Sequence, residues 1–216
     1  ENQIPDIIRK NGFQKVLLHT YDEEFIKRVP VYHKIKKMLE NAGISFIELL
    51  GAQPNPTLGL IGEGIELCRK ENVDFILAIG GGSVIDSAKG MALGVHTSLE
   101  DVWAFAEGKK EPDINQTVKL GVVLTAAAAG SETSTATVLT NEKLNLKRGA
   151  HHDANRPFFA VMNPEITYSV PAFQTACGVF DSIMHVCERY FTASTEAAIS
   201  DRMAEAIMKS IIEAGY

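Results

Sequence analysis

The chain of 216 residues has few cysteines, no excess of positive charge and no long apolar run. Its three cysteines, Cys68, Cys177 and Cys187, form no Cys-x-x-Cys pair and are odd in number, so neither a disulfide framework nor a zinc knuckle is expected. The net charge of −6 argues against binding to nucleic acid or to an anionic membrane surface. The longest apolar stretch, 120–129, is too short to span a bilayer, and no signal peptide is visible. These absences favour a cytoplasmic protein with reduced thiols.

Hydrophobic residues make up 45% of the chain, which is ample for a core. Strand-like and helix-like segments alternate from the start, and this alternation predicts an α/β fold in which helices cover a parallel sheet. The polar stretch 141–156 is predicted to be a loop or a hairpin. The predicted strands are 15–20, 45–49, 73–79 and 120–125, with shorter candidates at 137–140 and 158–162.

Three glycines, Gly80, Gly81 and Gly82, stand where a buried strand is predicted to end and a helix to begin. Free backbone N–H groups and the positive end of the helix dipole favour an anion such as phosphate at such a junction. Ser83 is predicted to cap this helix with its hydroxyl. The run lacks the third glycine of the dinucleotide fingerprint, and Lys89 lies too far along for a P-loop lysine. The spacing alone leaves open a tight turn that binds nothing.

Asp181 and His185 lie four residues apart on a predicted helix over 179–191, so both side chains project from one face. An oxygen and a nitrogen ligand at this spacing can bind one divalent cation, although the same spacing is also typical of a surface pair. A catalytic metal normally has at least three protein ligands, and the sequence supplies only these two. The tandem His151 and His152 fall in the polar stretch and are predicted to lie in an exposed loop.

From Pro171 onward only helical patterns are found, at 171–177, 179–191 and about 196–213. We therefore predict a nucleotide-binding α/β domain over 1–165 and the beginning of a helical metal-binding domain over 166–216. The second domain is too short to close a core of its own. Its exposed apolar surface favours association, and we expect a homo-oligomer.

Four segments occur in the order seen in the iron-containing, group III alcohol dehydrogenases, and the chain most closely resembles the butanol-dehydrogenase-like branch of that family. The combination of the Gly-Gly-Gly-Ser-x-x-Asp-x-Ala-Lys pattern with a downstream Asp-x-x-x-His is specific, and the likeness runs over nearly the whole chain. The four segments are 54–57, 80–89, 130–132 and 178–185.

The resemblance implies a dehydroquinate-synthase-like fold with a cofactor and a metal in the cleft between two domains. It implies hydride transfer between a nicotinamide and an alcohol or aldehyde, with Fe²⁺ or Zn²⁺ as the Lewis acid. Asp86 matches a residue that supports the pyrophosphate loop, and Asp181 and His185 match the first two metal ligands. The residues that match cofactor-binding positions are Gly81, Gly82 and Ser83 at the pyrophosphate and Asn55, Thr125, Ser134 and Lys147 elsewhere along the cofactor.

The end of the first strand bears on the choice between NAD and NADP. Relatives that use NADP tend to have small glycines there, whereas this chain has Tyr21, Asp22, Glu23 and Glu24. A carboxylate at Asp22, or at Glu23 in its place, would bond the ribose hydroxyls and repel a 2′-phosphate. The sequence therefore predicts NAD rather than NADP.

The chain departs from the family pattern in several places. Ala129 replaces the usual threonine, Asn163 replaces the usual aspartate, and the opening strand segment is missing. The remaining two metal ligands of the family are histidines from later helices, which this sequence does not reach. The chain is therefore expected to be a fragment of a longer enzyme or an inactive relative. A non-catalytic nucleotide-binding module and a sibling chemistry, glycerol oxidation or dehydroquinate synthesis, are the alternative interpretations.

Overall fold

The structure is a computed structural model that describes residues 1–192 and 197–215. The strands are β1 (Lys15–His19), β2 (Ser45–Leu49), β3 (Phe75–Gly80), β4 (Lys119–Leu124), β5 (Ala136–Asn141), β6 (Leu146–His151) and β7 (Phe159–Val161). The α-helices are α1 (Ile4–Lys10), α2 (Glu23–Arg28), α3 (Val31–Asn41), α4 (Leu58–Glu71), α5 (Gly82–Gly94), α6 (Leu99–Ala106), α7 (Ala172–Tyr190) and α8 (Ala198–Ala214).

A parallel sheet of five strands, in the order β2-β1-β3-β4-β7, forms the centre of the first part of the chain. The α/β fold with a parallel sheet is therefore confirmed. The polar stretch supplies β6, which pairs with β5 as an antiparallel hairpin outside the main sheet. Because β1, β3 and β4 are parallel neighbours, the residues that follow them meet at one edge of the sheet.

Both faces of the central strands β1, β3 and β4 are buried. On one face, Leu17 and Ile76 belong to a core cluster with residues of α4, α5 and α6. On the other face, Val16 and Leu77 belong to a cluster with residues of α1 and α3. Successive strand side chains point to opposite faces, so a strand covered on both sides must be apolar throughout. Every residue of β3 is buried, which is why its continuous apolar run was recognisable in the sequence.

The structure divides the chain into two compact units, Glu1–Ser169 and Val170–Tyr216. The predicted boundary, between residues 165 and 166, lies inside the 3₁₀ helix Pro164–Ser169, which belongs to the first unit. The metal-binding role predicted for the second unit and its predicted association with further copies stay predictions. Within the two described ranges, no helix is long and apolar enough to cross a membrane.

Helix α7 is continuous, although a break at Gly178 was predicted. A glycine in a helix interior costs only about 1 kcal/mol relative to alanine, which packing against α8 can offset. Cys187 Sγ and Met208 Sδ lie 3.6 Å apart at this contact. The predicted start of the last helix, near residue 196, lies outside the described residues, and α8 is described from Ala198.

The carboxyl end of α5 is held by Arg69, whose guanidinium donates to the carbonyl oxygens of Gly94 and Val95 at 2.8 Å each and also to that of Thr97. A cation at this end of a helix satisfies carbonyls that have no partner within the helix.

We expect Arg69→Met to lower the free energy of unfolding by about 1 to 2 kcal/mol, measured by urea denaturation. Arg69→Lys should recover part of the loss, and Lys70→Met, an exposed neighbour on α4, should change little. An unchanged denaturation midpoint in Arg69→Met would contradict this role.

Candidate functional site

The glycine turn joins β3, which ends at Gly80, to α5, which begins at Gly82. Gly81 is the N-cap, with extended backbone, and its carbonyl oxygen accepts the N–H groups of Val84 and Ile85 at 3.1 Å each. The prediction that Ser83 caps the helix was therefore wrong: Ser83 lies inside the first turn of α5. The helix begins earlier because the Gly81 carbonyl already accepts the first helical hydrogen bonds.

None of the three glycines has a positive φ angle, so close contacts rather than backbone conformation account for Gly80 and Gly81. A Cβ on Gly80 would lie 2.5 Å from the Val84 side chain, which leaves no room for it. A Cβ on Gly81 would lie 3.3 Å from the Tyr21 hydroxyl, and one on Gly82 would lie 3.6 Å from Ser131 Oγ. The last distance is an ordinary van der Waals contact, so Gly82 has room for a Cβ.

The first turn of α5 presents unpaired donors. The backbone N–H groups of Gly82 and Ser83 make no hydrogen bond to any residue within 1–192 or 197–215. They belong to the set of donors that a helix leaves without partners at its amino end. Together with the positive end of the helix dipole, they fit an anionic phosphate group. The observed turn can therefore hold the pyrophosphate of a dinucleotide.

Asp86 connects α5 to the hairpin. Its Oδ2 accepts the N–H of Val138 at 3.0 Å, and its backbone carbonyl accepts the hydroxyl of Thr137 at 3.4 Å. Burial raises the pKa of Asp86, and the nearby Lys89 opposes that rise. The bonds of Asp86 to β5 are consistent with the supporting role that the resemblance implies for it.

Thr125 and Ser134 lie on the segment that follows β4. The N–H of buried Thr125 donates to the Gly80 carbonyl at 3.2 Å, which places Thr125 directly beside the glycine turn. Ser134 Oγ accepts the N–H of Ala136 at 3.2 Å, at the start of β5. Both predicted cofactor residues therefore lie on one chain segment that leaves the same edge of the sheet as the glycine turn.

Asn55 and Lys147 form a second pair. The Thr140 N–H donates to the Pro56 carbonyl at 2.7 Å, and this bond brings the segment before α4 against the hairpin. Lys147 Nζ then donates to Asn55 Oδ1 at 2.6 Å. Both side chains are exposed, and Asn55 has a positive φ of 65°. The structure thus brings together two predicted cofactor residues that are far apart in sequence.

Asp22 is the N-cap of α2. Its Oδ1 accepts the N–H of Phe25 at 2.9 Å, so one of the two oxygens already has a structural role. The neighbouring Tyr21, which the sequence analysis did not assign to the site, packs its ring on Phe25 with centroids 4.7 Å apart. Burial raises the pKa of Tyr21, while the Gly81 backbone beside its hydroxyl opposes that rise.

Asp181 and His185 both lie on α7, with Asp181 Oδ2 and His185 Nδ1 3.8 Å apart. Their side chains are 57% and 56% exposed, so both are open to a ligand. In the part of the chain that the structure describes, no cluster of three or more potential ligands is present.

The tandem histidines have other roles. His151 ends β6, and His152 caps a 3₁₀ helix by accepting the Ala154 N–H at 3.0 Å on its Nδ1. The prediction of a plain loop at these positions was wrong, because the end of a strand and a short 3₁₀ helix occupy them.

A parallel sheet with an open helix amino end at its carboxyl edge is the arrangement of nucleotide-binding α/β proteins. The sequence profile described as iron-containing alcohol dehydrogenase matches residues 1–164. The chain belongs to the iron-containing alcohol dehydrogenase family.

Its relatives carry names of alcohol and aldehyde oxidoreductases. NADH-dependent butanol dehydrogenase A of Clostridium acetobutylicum is 38% identical over 213 residues, which are 98% of this chain and 53% of that protein. The NADPH-dependent aldehyde reductase YqhD of Escherichia coli is 35% identical over 201 residues, which are 92% of this chain and 51% of that protein. The chain therefore spans about half the length of the curated relatives it matches.

Solved structures agree with the family assignment. The crystal structure described as NADH-dependent butanol dehydrogenase A from Thermotoga maritima matches 98% of this chain with a TM-score of 0.88 and 34% identity. This chain covers 52% of that structure. The names of the sequence relatives include both NADH and NADPH dependence.

Proposed function

We infer that this chain is the nucleotide-binding part of an oxidoreductase that transfers a hydride between a nicotinamide cofactor and a primary alcohol or aldehyde. The observation that carries the inference is the pair of free N–H groups at Gly82 and Ser83, beside Gly82, where the atom nearest to an added Cβ is Ser131 Oγ at 3.6 Å. The names of the relatives, butanol dehydrogenase and aldehyde reductase, support the substrate class.

The roles of the residues follow from their chemistry. The N–H groups of Gly82 and Ser83 would bind the pyrophosphate oxygens, and the absence of side chains at Gly81 and Gly82 would let the ligand approach the backbone. Thr125 and Ser134 would offer hydroxyl groups from the segment after β4. Lys147 and Asn55 would act as a bonded pair on the hairpin side.

Asp181 and His185 would supply two ligands for Fe²⁺ or Zn²⁺. When both are bound, the nicotinamide supplies the hydride and the divalent ion supplies the Lewis acid that polarises the substrate oxygen. Two ligands are fewer than a catalytic metal normally has, so further ligands outside this sequence are part of the proposal.

The experiment compares the 216-residue chain with a version extended to the length of its relatives. Oxidation of NADH is followed with a short aliphatic aldehyde, with Fe²⁺ or Zn²⁺ added. Turnover by the extended version alone supports the proposal. Binding of NADH without turnover by either version would indicate a non-catalytic nucleotide-binding module, and an absence of NADH binding by both would contradict the proposal.

We expect Asp22→Ser to shift the cofactor preference toward NADPH. Serine keeps the ability to cap α2 but removes the carboxylate that would repel a 2′-phosphate. The ratio of the NADPH and NADH dissociation constants should fall at least about tenfold, corresponding to about 1.4 kcal/mol. Glu24→Gln, which also removes one exposed charge from this segment, is the matched control and should leave the ratio unchanged. Equal affinity of the unaltered chain for the two cofactors would refute the NAD preference.

A further inference from the structure

The segment 131–138 lies against the first turns of α5. Ser131 Oγ is 3.6 Å from the position that a Cβ on Gly82 would occupy. At the other end of the segment, Asp86 accepts the Val138 N–H and the Thr137 hydroxyl. The segment therefore forms a wall beside the glycine turn.

Lys89 holds the middle of this segment. Its side chain is 0% exposed, and its Nζ donates to the carbonyl oxygens of Ser134 at 3.2 Å and Ala136 at 2.6 Å. The same Nζ lies 3.8 Å from Asp86 Oδ1, an oxygen that makes no hydrogen bond to the described residues. A buried ammonium is costly unless it is paired and bonded, so these contacts require the segment to stay in place.

Three charged groups act on the Lys89 ammonium: Asp86, Glu132 and Arg156. Burial lowers the pKa of Lys89 to about 8, Asp86 and Glu132 oppose that shift, and Arg156 adds to it. Asp86 and Lys89 together form a pair without net charge behind the glycine turn. If Lys89 loses its proton, an unneutralised carboxylate remains beside the anion site.

We propose that Lys89 is a positioning residue of the cofactor site: by bonding the Ser134 and Ala136 carbonyls it fixes the segment 131–138 as a wall of the pyrophosphate turn and neutralises Asp86 behind it. The inference rests on the proposed function, because it concerns the affinity for a nicotinamide dinucleotide. Lys89 touches the wall and not the cofactor itself.

The pH dependence separates this role from a purely structural one. Because the pKa of Lys89 is lower in the folded protein than in the unfolded chain, the native state binds fewer protons above pH about 8. The contribution of Lys89 to the free energy of unfolding therefore rises with pH in that window. A loss of NADH affinity as pH rises through about 8 has the opposite sign and cannot result from unfolding that Lys89 causes.

The test measures NADH dissociation constants from pH 6.5 to 9.5 by fluorescence titration, together with amide hydrogen exchange of residues 131–138 without cofactor. We expect the affinity of the unaltered chain to fall several-fold through pH about 8. Lys89→Met should weaken binding at pH 7 about tenfold or more and speed exchange in the segment. Lys89→Arg, which stays charged, should restore binding at pH 7 and remove the pH step. Lys143→Met, an exposed lysine in the hairpin, is the control and should match the unaltered chain.

Faster exchange with weaker binding in Lys89→Met, together with a pH step in the unaltered chain, supports the proposal. Unchanged exchange, unchanged affinity, or a flat pH profile of the unaltered chain overturns it, even if Lys89→Arg fails to fold. If the unaltered chain binds no NADH at any pH, the proposed function fails, whereas a flat profile with tight binding overturns only the role of Lys89.

Discussion

Gly82→Val is expected to weaken NADH binding strongly in a chain that stays folded. A Cβ at this position would meet Ser131 Oγ at an ordinary 3.6 Å, so the fold can accept at least a Cβ there. The branched methyl groups would occupy the space over the free N–H groups of Gly82 and Ser83, where the pyrophosphate is proposed to bind. We expect the NADH dissociation constant to rise at least about 100-fold, equivalent to about 2.7 kcal/mol.

Gly59→Val is the matched control for this substitution. Gly59 lies in the first turn of α4, is exposed, and a Cβ there would meet only the flexible Glu142 side chain, at 3.2 Å. Its NADH affinity should equal that of the unaltered chain. Circular dichroism checks that both variants are folded. Tight NADH binding by folded Gly82→Val would show that the glycine turn is not part of the NADH-binding site.

His185→Ala is expected to lower kcat/KM for aldehyde reduction about 1000-fold in the version extended to the length of the relatives. The Lewis acid supplies several kcal/mol of charge stabilisation, and each 1.36 kcal/mol is worth a factor of ten. Asp181→Asn should act in the same direction. Both side chains are more than half exposed on α7, so little stability should be lost. The metal content, measured by atomic absorption, should fall in parallel with the activity.

The control for the metal prediction is Glu188→Ala, which removes another exposed acidic group of α7. Its metal content and activity should stay normal, and NADH affinity should be unchanged in all three variants. Full metal content in both His185→Ala and Asp181→Asn would show that the two residues are not ligands.

The central strands could be predicted from the sequence, because a strand that is buried on both faces is apolar along its whole length. β1, β3 and β4 are buried at almost every residue, and each was recognised in the sequence as a continuous apolar run. Helices α1, α2 and α6 have only 7, 6 and 8 residues, too few turns for a helical period to be recognised. The stretch 141–156 was predicted to be a loop or a hairpin, and the bounds of β6 within it could not be predicted because its residues are half-buried or exposed and half of them are polar.

The glycine turn was predicted because all its parts are adjacent in sequence. The contact of Tyr21 with Gly81 and the contacts of Lys89 with Ser134 and Ala136 were not predicted, since they join residues from distant parts of the chain. Lys89 reaches Ser134 and Ala136 only because the hairpin folds back over α5. Spacing along the sequence contains no information about such a contact, and an isolated lysine on a helix is normally exposed.

The measurement that tests the account most directly is an NMR titration of the isotope-labelled 216-residue chain with NADH. The account predicts saturable shifts of the Gly82 and Ser83 amide resonances, because their free N–H groups bind the pyrophosphate. The amide of Gly59, in the first turn of α4, should not move. ADP-ribose, which has the pyrophosphate but no nicotinamide, should shift the same two amides. Saturating NADH that leaves Gly82 and Ser83 unshifted would contradict the account.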